Sequence, residues 1–287
     1  MPEMPEVQAH AERLTEALAT KKLIKFELLN FAALKTFSPA ADAAVGHNLI
    51  SVERRAKYLL MGFDNGHTHV IHLMQGGRLR PDAKRTRKPK LGLARWVFET
   101  EPEDGDGAEE AWMLTEAGTE RKAGVWAIDG DALTQEPLEG LGPEADLLSR
   151  TELEEVLKPN SKRVHGLLRS QRTVTGLGRM LTNEILYEAG LSPFANASKL
   201  SADQYDRLHA AIGEVVGRAT DHERTLDDIG KSIDRPSKVH NRSGEPCLGC
   251  EDTVRTVEYR RYTVFYCPTE QTEGKLLADN TTSKFLK

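Results

Sequence analysis

Residues 175–190 read Thr-Gly-Leu-Gly-Arg-Met-Leu-Thr-Asn-Glu-Ile-Leu-Tyr-Glu-Ala-Gly, in which two glycines precede an apolar run with helical spacing. The run predicts a helix over Met180–Ala189. Glycines before a helix let the backbone approach a phosphate, and the N–H groups at the helix start attract anions. A tight turn between two helices explains the same glycines without a ligand. The surrounding stretch 157–183 has six Lys or Arg residues and no Asp or Glu, which favours phosphate binding.

The sequence around this stretch is also helical. Apolar spacing predicts helices over Leu153–Leu157, Val164–Leu168 and Ala202–Arg218. The last of these begins with the capping-box pattern Ser201-x-x-Gln204. A helical domain is therefore expected beyond Leu141.

The N-terminal half has a different pattern. An amphipathic helix follows Pro5, with Val7, Ala11, Leu14 and Leu18 on one face. Asp64-Asn65-Gly66 is a strong hairpin turn, and the apolar runs around it predict two strands. Together with three later runs they predict a mainly antiparallel sheet structure: Tyr58–Phe63, Thr68–Met74, Ala94–Phe98, Ala111–Leu114 and Gly124–Ile128.

The three cysteines all lie in the strand-like tail that begins at Val239. Cys247-x-x-Cys250 is followed after sixteen residues by Cys267-x-x-Glu270. Two such pairs at the ends of a hairpin are typical of a zinc ribbon, which usually has four cysteines. With Glu270 in the fourth place, the site has a Cys3Glu ligand set, has three ligands and binds weakly, or has been lost.

Size and charge limit the classes of function. A chain of 287 residues is long enough for two domains, and no apolar stretch approaches the ~20 residues of a membrane span. Few cysteines and no disulfide pattern indicate a reducing, intracellular location, and we expect a cytoplasmic protein without a membrane partner. The formal net charge is −5, but basic residues cluster at 84–90 and 157–183 and acidic ones at 101–110. This segregation suits a phosphate-binding face, although a solvated charged surface has the same pattern.

The chain start, Met1-Pro2-Glu3, contains groups that can take part in catalysis. Removal of Met1 leaves the secondary amine of Pro2 as the N-terminus, and an α-amino group titrates near pH ~8. The neutral amine can attack an electrophilic sugar carbon and form an iminium, with Glu3 as a neighbouring acid or base. Many chains begin Met-Pro without any such role. Similarly, Lys57 in the segment 54–60 can reach a phosphate or can be the solvated end of a strand.

Seven stretches resemble the formamidopyrimidine-DNA glycosylase/endonuclease VIII family and follow in that family's order. They are 1–7 (Met-Pro-Glu-Met-Pro-Glu-Val), 54–60 (Arg-Arg-Ala-Lys-Tyr-Leu-Leu), 72–80, 141–144 (Leu-Gly-Pro-Glu), 175–190, 241–247 (Asn-Arg-Ser-Gly-Glu-Pro-Cys) and 265–272 (Phe-Tyr-Cys-Pro-Thr-Glu-Gln-Thr). The resemblance implies an α+β fold. Its parts would be an N-terminal β-sandwich over 1–140, a helix–two-turn–helix domain over 141–238 and a zinc-finger-like hairpin over 239–287.

The same resemblance implies a bifunctional DNA glycosylase and abasic-site (AP) lyase of base excision repair, a nucleoid-associated monomer acting on damaged double-stranded DNA. Pro2 would attack C1′ of a flipped-out nucleotide, Glu3 would protonate the opening sugar, and Lys57 would contact phosphate and assist β- or β/δ-elimination. The implied DNA contacts are Lys57, Arg121, Arg179 and Arg261. The implied zinc ligands are Cys247, Cys250, Cys267 and Glu270.

The chain departs from the family pattern at several positions. Arg179 replaces an Asn that usually follows Gly-x-Gly, and the motif Arg-Arg-Phe-Gly becomes Arg121-Lys122-Ala123-Gly124, where Ala123 is too small to wedge between bases. Met74-Gln75-Gly76 stands where a Met wedge is expected. Tyr262 occupies the place of a finger arginine, with Arg261 beside it. The segment between Thr225 and Val239 is short, which favours oxidised pyrimidines or bulkier lesions over oxidised purines.

Two other functions fit parts of the sequence. A catalytically weak or inactive relative would bind damaged or kinked DNA without cleaving it, as Ala123, Tyr262 and Glu270 suggest. A helix–two-turn–helix protein that binds structured RNA is the other alternative. The enzyme is favoured because Pro2, Glu3 and Lys57 are all present.

Overall fold

The computed structural model describes residues 1–100, 108–117, 121–231, 234–259 and 262–278. The chain divides into two compact units. The first comprises Met1–Gly140 and Leu226–Ile229, and the second comprises Leu141–Thr225 and Gly230–Lys287. The predicted division of the second unit between residues 238 and 239 stays a prediction.

The described part of the first unit contains one α-helix and eight strands. In chain order they are α1 (Met4–Leu18), β1 (Leu23–Leu28), β2 (Leu49–Arg55), β3 (Tyr58–Phe63), β4 (His67–His72), β5 (Gly77–Pro81), β6 (Gly92–Thr100), β7 (Ala108–Glu116) and β8 (Gly124–Asp129). The strands form two four-stranded antiparallel sheets, of order β1-β6-β7-β5 and β2-β3-β4-β8. The predicted, mainly antiparallel sheet structure of the N-terminal half is confirmed.

One hydrophobic core joins the two sheets and the helix. Trp96 and Leu114 from one sheet and Met61 and Ile71 from the other belong to the same buried cluster. The predicted apolar face of α1 packs into it, with Val7, Ala11, Leu14 and Leu18 each no more than 1% exposed. Burial of these side chains, rather than helix propensity, is what stabilises α1.

His69 lies inside this core and makes two hydrogen bonds. Trp96 donates from Nε1 to His69 Nδ1 (2.8 Å), and His69 Nε2 lies 2.9 Å from the Ala41 carbonyl oxygen. An indole nitrogen only donates, so Nδ1 is the acceptor and Nε2 carries the proton. Burial lowers the pKa of His69 from 6.5 to about 4, which keeps the ring neutral.

One end of the β2-β3-β4-β8 sheet brings distant residues together. Tyr58 pairs with His72 across β3 and β4, and His72 pairs with Gly124 across β4 and β8. Lys57 directly precedes Tyr58 in the chain. We call this end, marked by Tyr58, His72 and Gly124, the Lys57 edge.

The second unit is mainly helical. Its helices are α2 (Arg150–Leu157), α3 (Val164–Leu168), α4 (Arg179–Glu188) and α5 (Ala202–Arg224). The predicted capping box is present at α5, where the Gln204 N–H donates to Ser201 Oγ (3.2 Å) and the Ser201 N–H donates to Gln204 Oε1 (2.9 Å). The helical expectation for this part of the chain is confirmed.

The cysteines lie on either side of a two-stranded hairpin. Strands β9 (Arg255–Tyr259) and β10 (Tyr262–Tyr266) pair antiparallel, and the short helix α6 (Pro268–Thr272) follows. Cys247 and Cys250 precede the hairpin, and Cys267 follows it directly. Within the described part of the chain, none of the helices is long and apolar enough to cross a bilayer.

Candidate active site

The chain start is held against the scaffold by a helix cap. Pro2 is buried, and Glu3 is 5% exposed at the N-terminus of α1. The Glu3 N–H donates to Glu6 Oε2 (2.9 Å), and the Val7 N–H donates to the Glu3 carbonyl oxygen (3.2 Å). These bonds fix the backbone next to Pro2. While Met1 is attached, the nitrogen of Pro2 is part of a peptide bond and is not basic.

An amine at this chain start is poorly solvated. Burial lowers the pKa of the Met1 α-amino group below its ordinary value of 8.0, against the attraction of Glu3 and Glu6. The positive charges of Lys57 and Arg78 lower it further. An α-amine in these surroundings is therefore more often neutral, and hence nucleophilic, than one in water.

Lys57 lies in the tight connection between β2 and β3. The preceding residue, Ala56, has a φ of +55°, a conformation that L-residues other than Gly adopt at a cost of about 1–2 kcal/mol. Lys57 is 9% exposed and interacts electrostatically with the Met1 amino group and with His72. The structure thus brings Pro2, Glu3 and Lys57 into one region of the first unit.

His72 belongs to this region, although the sequence assigned it no role. It is 8% exposed, and its Nδ1 accepts a hydrogen bond from the Met74 N–H (3.0 Å). Burial, followed by the charge of Lys57, lowers its pKa from 6.5 to about 4. His72 is therefore neutral near pH 7 and can donate a hydrogen bond from Nε2. The sequence carries no local signal for this role, because the pairing of β3 with β4 creates it.

These groups supply complementary chemistry. A neutral amine at Pro2 is a nucleophile, a carboxyl group at Glu3 can transfer a proton, and the ammonium of Lys57 can bind an anion. All three belong to the same compact unit. The arrangement suits covalent catalysis on a negatively charged substrate.

Three further DNA contacts were predicted from the sequence. Arg121 is exposed just before β8, and its guanidinium donates to the Lys90 carbonyl oxygen (3.2 Å). Arg179 is exposed at the first position of α4 in the second unit, directly after Gly178. Arg261 lies outside the described residues. Arg179 thus stands at a helix N-terminus, where its charge adds to that of the helix dipole.

The three cysteines form a cluster that fits a metal ion. Their sulfur atoms all lie within 4.8 Å of one another, and Cys250 Sγ is 3.4 Å from Cys267 Sγ. Tetrahedral zinc with Zn–S bonds of ~2.3 Å holds its sulfurs about 3.8 Å apart. The spacing therefore suits three thiolate ligands. Glu270 is not a member of that cluster.

Tyr187 of α4 reaches the cluster from the helical part of the second unit. Its hydroxyl lies 3.2 Å from Cys247 Sγ, and it packs in a buried group with Cys247 and Cys267. A Cβ atom at Gly249 would stand 2.7 Å from the Tyr187 hydroxyl and 3.2 Å from Glu270 Oε1. The phenol and the carboxylate therefore face the same side of the Cys247–Cys250 turn, a convergence that the sequence did not reveal.

Comparison with known proteins agrees with this architecture. The formamidopyrimidine-DNA glycosylase N-terminal domain matches residues 1–112, and the H2TH domain of the same glycosylase matches residues 140–228. A formamidopyrimidine-DNA glycosylase-like protein of Mycobacterium tuberculosis, named as uncharacterised, is 39% identical over 152 residues, which are 51% of this chain and 94% of that protein. The chain belongs to the formamidopyrimidine-DNA glycosylase family.

Full-length members of the formamidopyrimidine-DNA glycosylase family are more distant in sequence. The glycosylase of Rickettsia conorii is 28% identical over 281 residues, covering 94% of this chain and 99% of that protein. A Lactococcus lactis structure, bound non-covalently to DNA with an AP site, has a TM-score of 0.81 at 21% identity and covers 94% of this chain and 99% of that one. The Thermus thermophilus structure has a TM-score of 0.79 at 24% identity and covers 96% and 100%. These structures confirm the α+β fold.

Proposed function

We propose that the protein is a bifunctional DNA glycosylase and AP lyase that acts on damaged double-stranded DNA. The observation that carries this proposal is the placement of the chain start beside Lys57. Burial and two cations there favour the neutral form of an α-amine. Membership of the glycosylase family supports the same conclusion.

The proposed reaction uses three residues. After removal of Met1, the Pro2 nitrogen attacks C1′ of the extruded nucleotide and the bond from C1′ to the damaged base breaks. The base leaves with the bonding electrons and takes up the proton released by the Pro2 amine. Glu3 supplies the proton to the opening sugar ring, which leaves an iminium between Pro2 and C1′. Glu3, now a carboxylate, then accepts a C2′ proton, and the C3′–O bond breaks. The phosphate leaves with the electron pair of that bond, with Lys57 next to the departing anion. Extrusion of the nucleotide costs a few kcal/mol, which a damaged base reduces.

The proposed DNA contacts are basic side chains on both units. Lys57 and Arg121 belong to the first unit, and Arg179 belongs to the second. Arg261 is proposed from the sequence alone. Contacts of this kind bind phosphate without regard to sequence and weaken with salt. The short segment between Thr225 and Val239 favours oxidised pyrimidines or bulkier lesions, and we propose a monomer acting on nucleoid DNA.

The cysteine cluster is a candidate zinc site. Cys247, Cys250 and Cys267 would supply three thiolates, and we propose Glu270 as the fourth ligand because its carboxylate faces the Cys247–Cys250 turn. A structural zinc ion would supply folding energy to a hairpin that has only a small core of its own. Tyr187 would donate a hydrogen bond from its hydroxyl to the Cys247 thiolate.

Loss of the Tyr187 hydroxyl is expected to speed metal release. Tyr187→Phe keeps the ring but removes the bond to Cys247 Sγ, and loss of such an outer partner typically costs 10- to 100-fold in metal affinity. Zinc transfer to a chromophoric chelator gives the rate, and cobalt(II) absorbance reports the thiolate ligands. Tyr205→Phe is the matched control, because its buried hydroxyl donates to the Ala197 carbonyl oxygen (2.8 Å). Equal release rates for the two variants would argue against a role of Tyr187 at the metal.

Lys57→Ala is expected to weaken DNA binding and to reduce its salt dependence. One lost phosphate contact lowers the slope of log K against log salt by about 0.9. Titration of abasic-site duplex at several salt concentrations measures this slope. Lys25→Ala is the control, because Lys25 is already paired with Glu27 (2.7 Å). An unchanged slope in Lys57→Ala would mean that this residue does not contact the backbone.

A binding protein without catalysis is the second candidate. It is favoured by Ala123, which is 1% exposed and whose N–H donates to Glu116 Oε2 (2.7 Å), so its methyl group cannot enter a base stack. Borohydride reduction of a mixture of Met1-processed protein and abasic-site duplex separates the two functions. The enzyme yields a covalent adduct, whereas intact DNA binding without an adduct would leave only the binding protein.

A further inference from the structure

Phe31 exposes an aromatic ring on the first unit. Its side chain is 88% exposed, and among the described large apolar residues only Phe37 is more exposed, at 101%. Phe31 is the first residue of a 3-10 turn that ends at Ala33. A ring this exposed contributes little to the core and is accessible to a ligand.

The backbone pairing places this turn at the Lys57 edge. Leu34 forms a parallel bridge with Val125, and the Lys35 N–H donates to the Val125 carbonyl oxygen (2.9 Å). Because the pairing is parallel, residues before Leu34 lie toward the start of β8, which is Gly124. The Ala33 carbonyl oxygen stands only 3.0 Å from where a Cβ atom on Gly124 would be. Gly124 pairs with His72, so Phe31 belongs to the same end of the sheet as Lys57.

The turn is held rigidly. The N–H groups of Leu29 and Asn30 both donate to the Leu93 carbonyl oxygen (3.0 Å each). The Asn30 side chain accepts from the Ala32 N–H (3.0 Å), and the Ala33 N–H donates to the Asn30 carbonyl oxygen (3.0 Å). A rigid backbone reduces the entropy lost when the ring contacts a ligand.

Basic residues lie in the two chain segments that meet at Gly124. Lys35 lies against Gly124, and Arg121 and Lys122 directly precede the buried Ala123. An exposed ring among positive charges is the combination that binds nucleic acid by stacking on bases and contacting phosphates. An extruded nucleotide leaves a gap in the stack that an apolar side chain must fill, and Ala123 is too small and too buried to do so.

We propose that Phe31 stacks on a base beside the gap left by the extruded nucleotide. The ring then stabilises the opened duplex in place of a larger side chain at position 123. This inference rests on the proposed function, because it needs DNA to approach the Lys57 edge. It assigns recognition of the opened duplex to the loop between β1 and β2.

Binding to two duplexes tests the proposal. One duplex contains a tetrahydrofuran abasic analogue with 2-aminopurine as the neighbouring base in the same strand, and the other is undamaged. Phe31→Ala is expected to weaken binding of the abasic duplex by roughly 5- to 150-fold, the worth of one stacked base, with a smaller loss on undamaged DNA. Phe31→Trp should bind as the original chain does. The 2-aminopurine fluorescence, quenched by stacking, should rise in the Phe31→Ala complex.

Phe37→Ala is the matched control. The Thr36 hydroxyl accepts from the Ala127 N–H (2.8 Å). Phe37 therefore follows the segment 34–36 that runs beside β8, whereas Phe31 precedes it. Loss of the Phe37 ring should change the binding of neither duplex. The proposal is overturned if Phe31→Ala binds the abasic duplex as the original chain does, or loses equal affinity for both duplexes. A failed catalytic proposal shows separately, as original chain that binds the tetrahydrofuran duplex but gives no borohydride adduct with a duplex that contains a true abasic site.

Discussion

Protein that retains Met1 is expected to form no borohydride-trapped adduct with abasic-site DNA, whereas processed protein forms one. With Met1 attached, the Pro2 nitrogen is an amide and has no basic lone pair. The terminal amine then belongs to Met1, whose Cα precedes the Cα of Pro2 by one residue, or ~3.8 Å. A displacement of this size removes the amine from reach of C1′, so the expected effect is complete loss of trapping.

Two samples of the same chain test this expectation. One is processed in the cell, and the other is prepared with methionine aminopeptidase inhibited, with intact mass measured for both. Their affinity for abasic-site duplex should be similar, because the phosphate contacts are unchanged. Equal adduct yields from the two samples would show that Pro2 is not the nucleophile.

The second large effect concerns acid stability. Between pH 6.5 and about 4 the free energy of unfolding is expected to fall, because His69 is neutral in the folded core and protonates in the unfolded chain. The folded-state pKa lies below the unfolded value, so stability is present above pH 6.5 and is lost as the pH falls. The lowered pKa corresponds to about 3 kcal/mol for this residue, at 1.36 kcal/mol per unit. His10 and His165 are buried with lowered pKa values and act in the same direction.

Urea unfolding at several pH values measures this effect. His69→Gln is the informative variant, because an amide can accept from Trp96 and donate to Ala41 without titrating. Its unfolding free energy should depend less on pH over that interval. His67→Gln, on the same strand but partly exposed, controls for the removal of a histidine. If His69→Gln retains the whole acid dependence, His69 does not cause it.

The sequence predicted the elements whose signals are local. The apolar spacing of α1, the Asp64-Asn65-Gly66 turn and the Ser201 capping box each depend on residues within a few positions of one another. Strands β1, β2 and β5 were not predicted from their own residues. They contain charged residues that interrupt the apolar pattern, and their pairing partners β6, β3 and β7 determine them.

The candidate site was predicted by resemblance rather than by spacing. Nothing local to Lys57 shows that it lies beside the chain start, since the fold of β2 and β3 against α1 creates that proximity. His72 and Tyr187 acquire their surroundings in the same way, Tyr187 from a cysteine sixty positions along the chain. The roles of Pro2, Glu3 and Lys57 remain predictions until the trapping experiment is made.

The packing of Gly249 limits which residues can stand together at positions 249 and 187. Its missing side chain is the room that the Tyr187 phenol occupies, since a Cβ atom there would stand 2.7 Å from the hydroxyl. Alanine or serine at 249 therefore requires the phenol to move away from Cys247. Phenylalanine at 187 removes the crowded oxygen, so the two substitutions together disturb the packing less than a change at 249 alone.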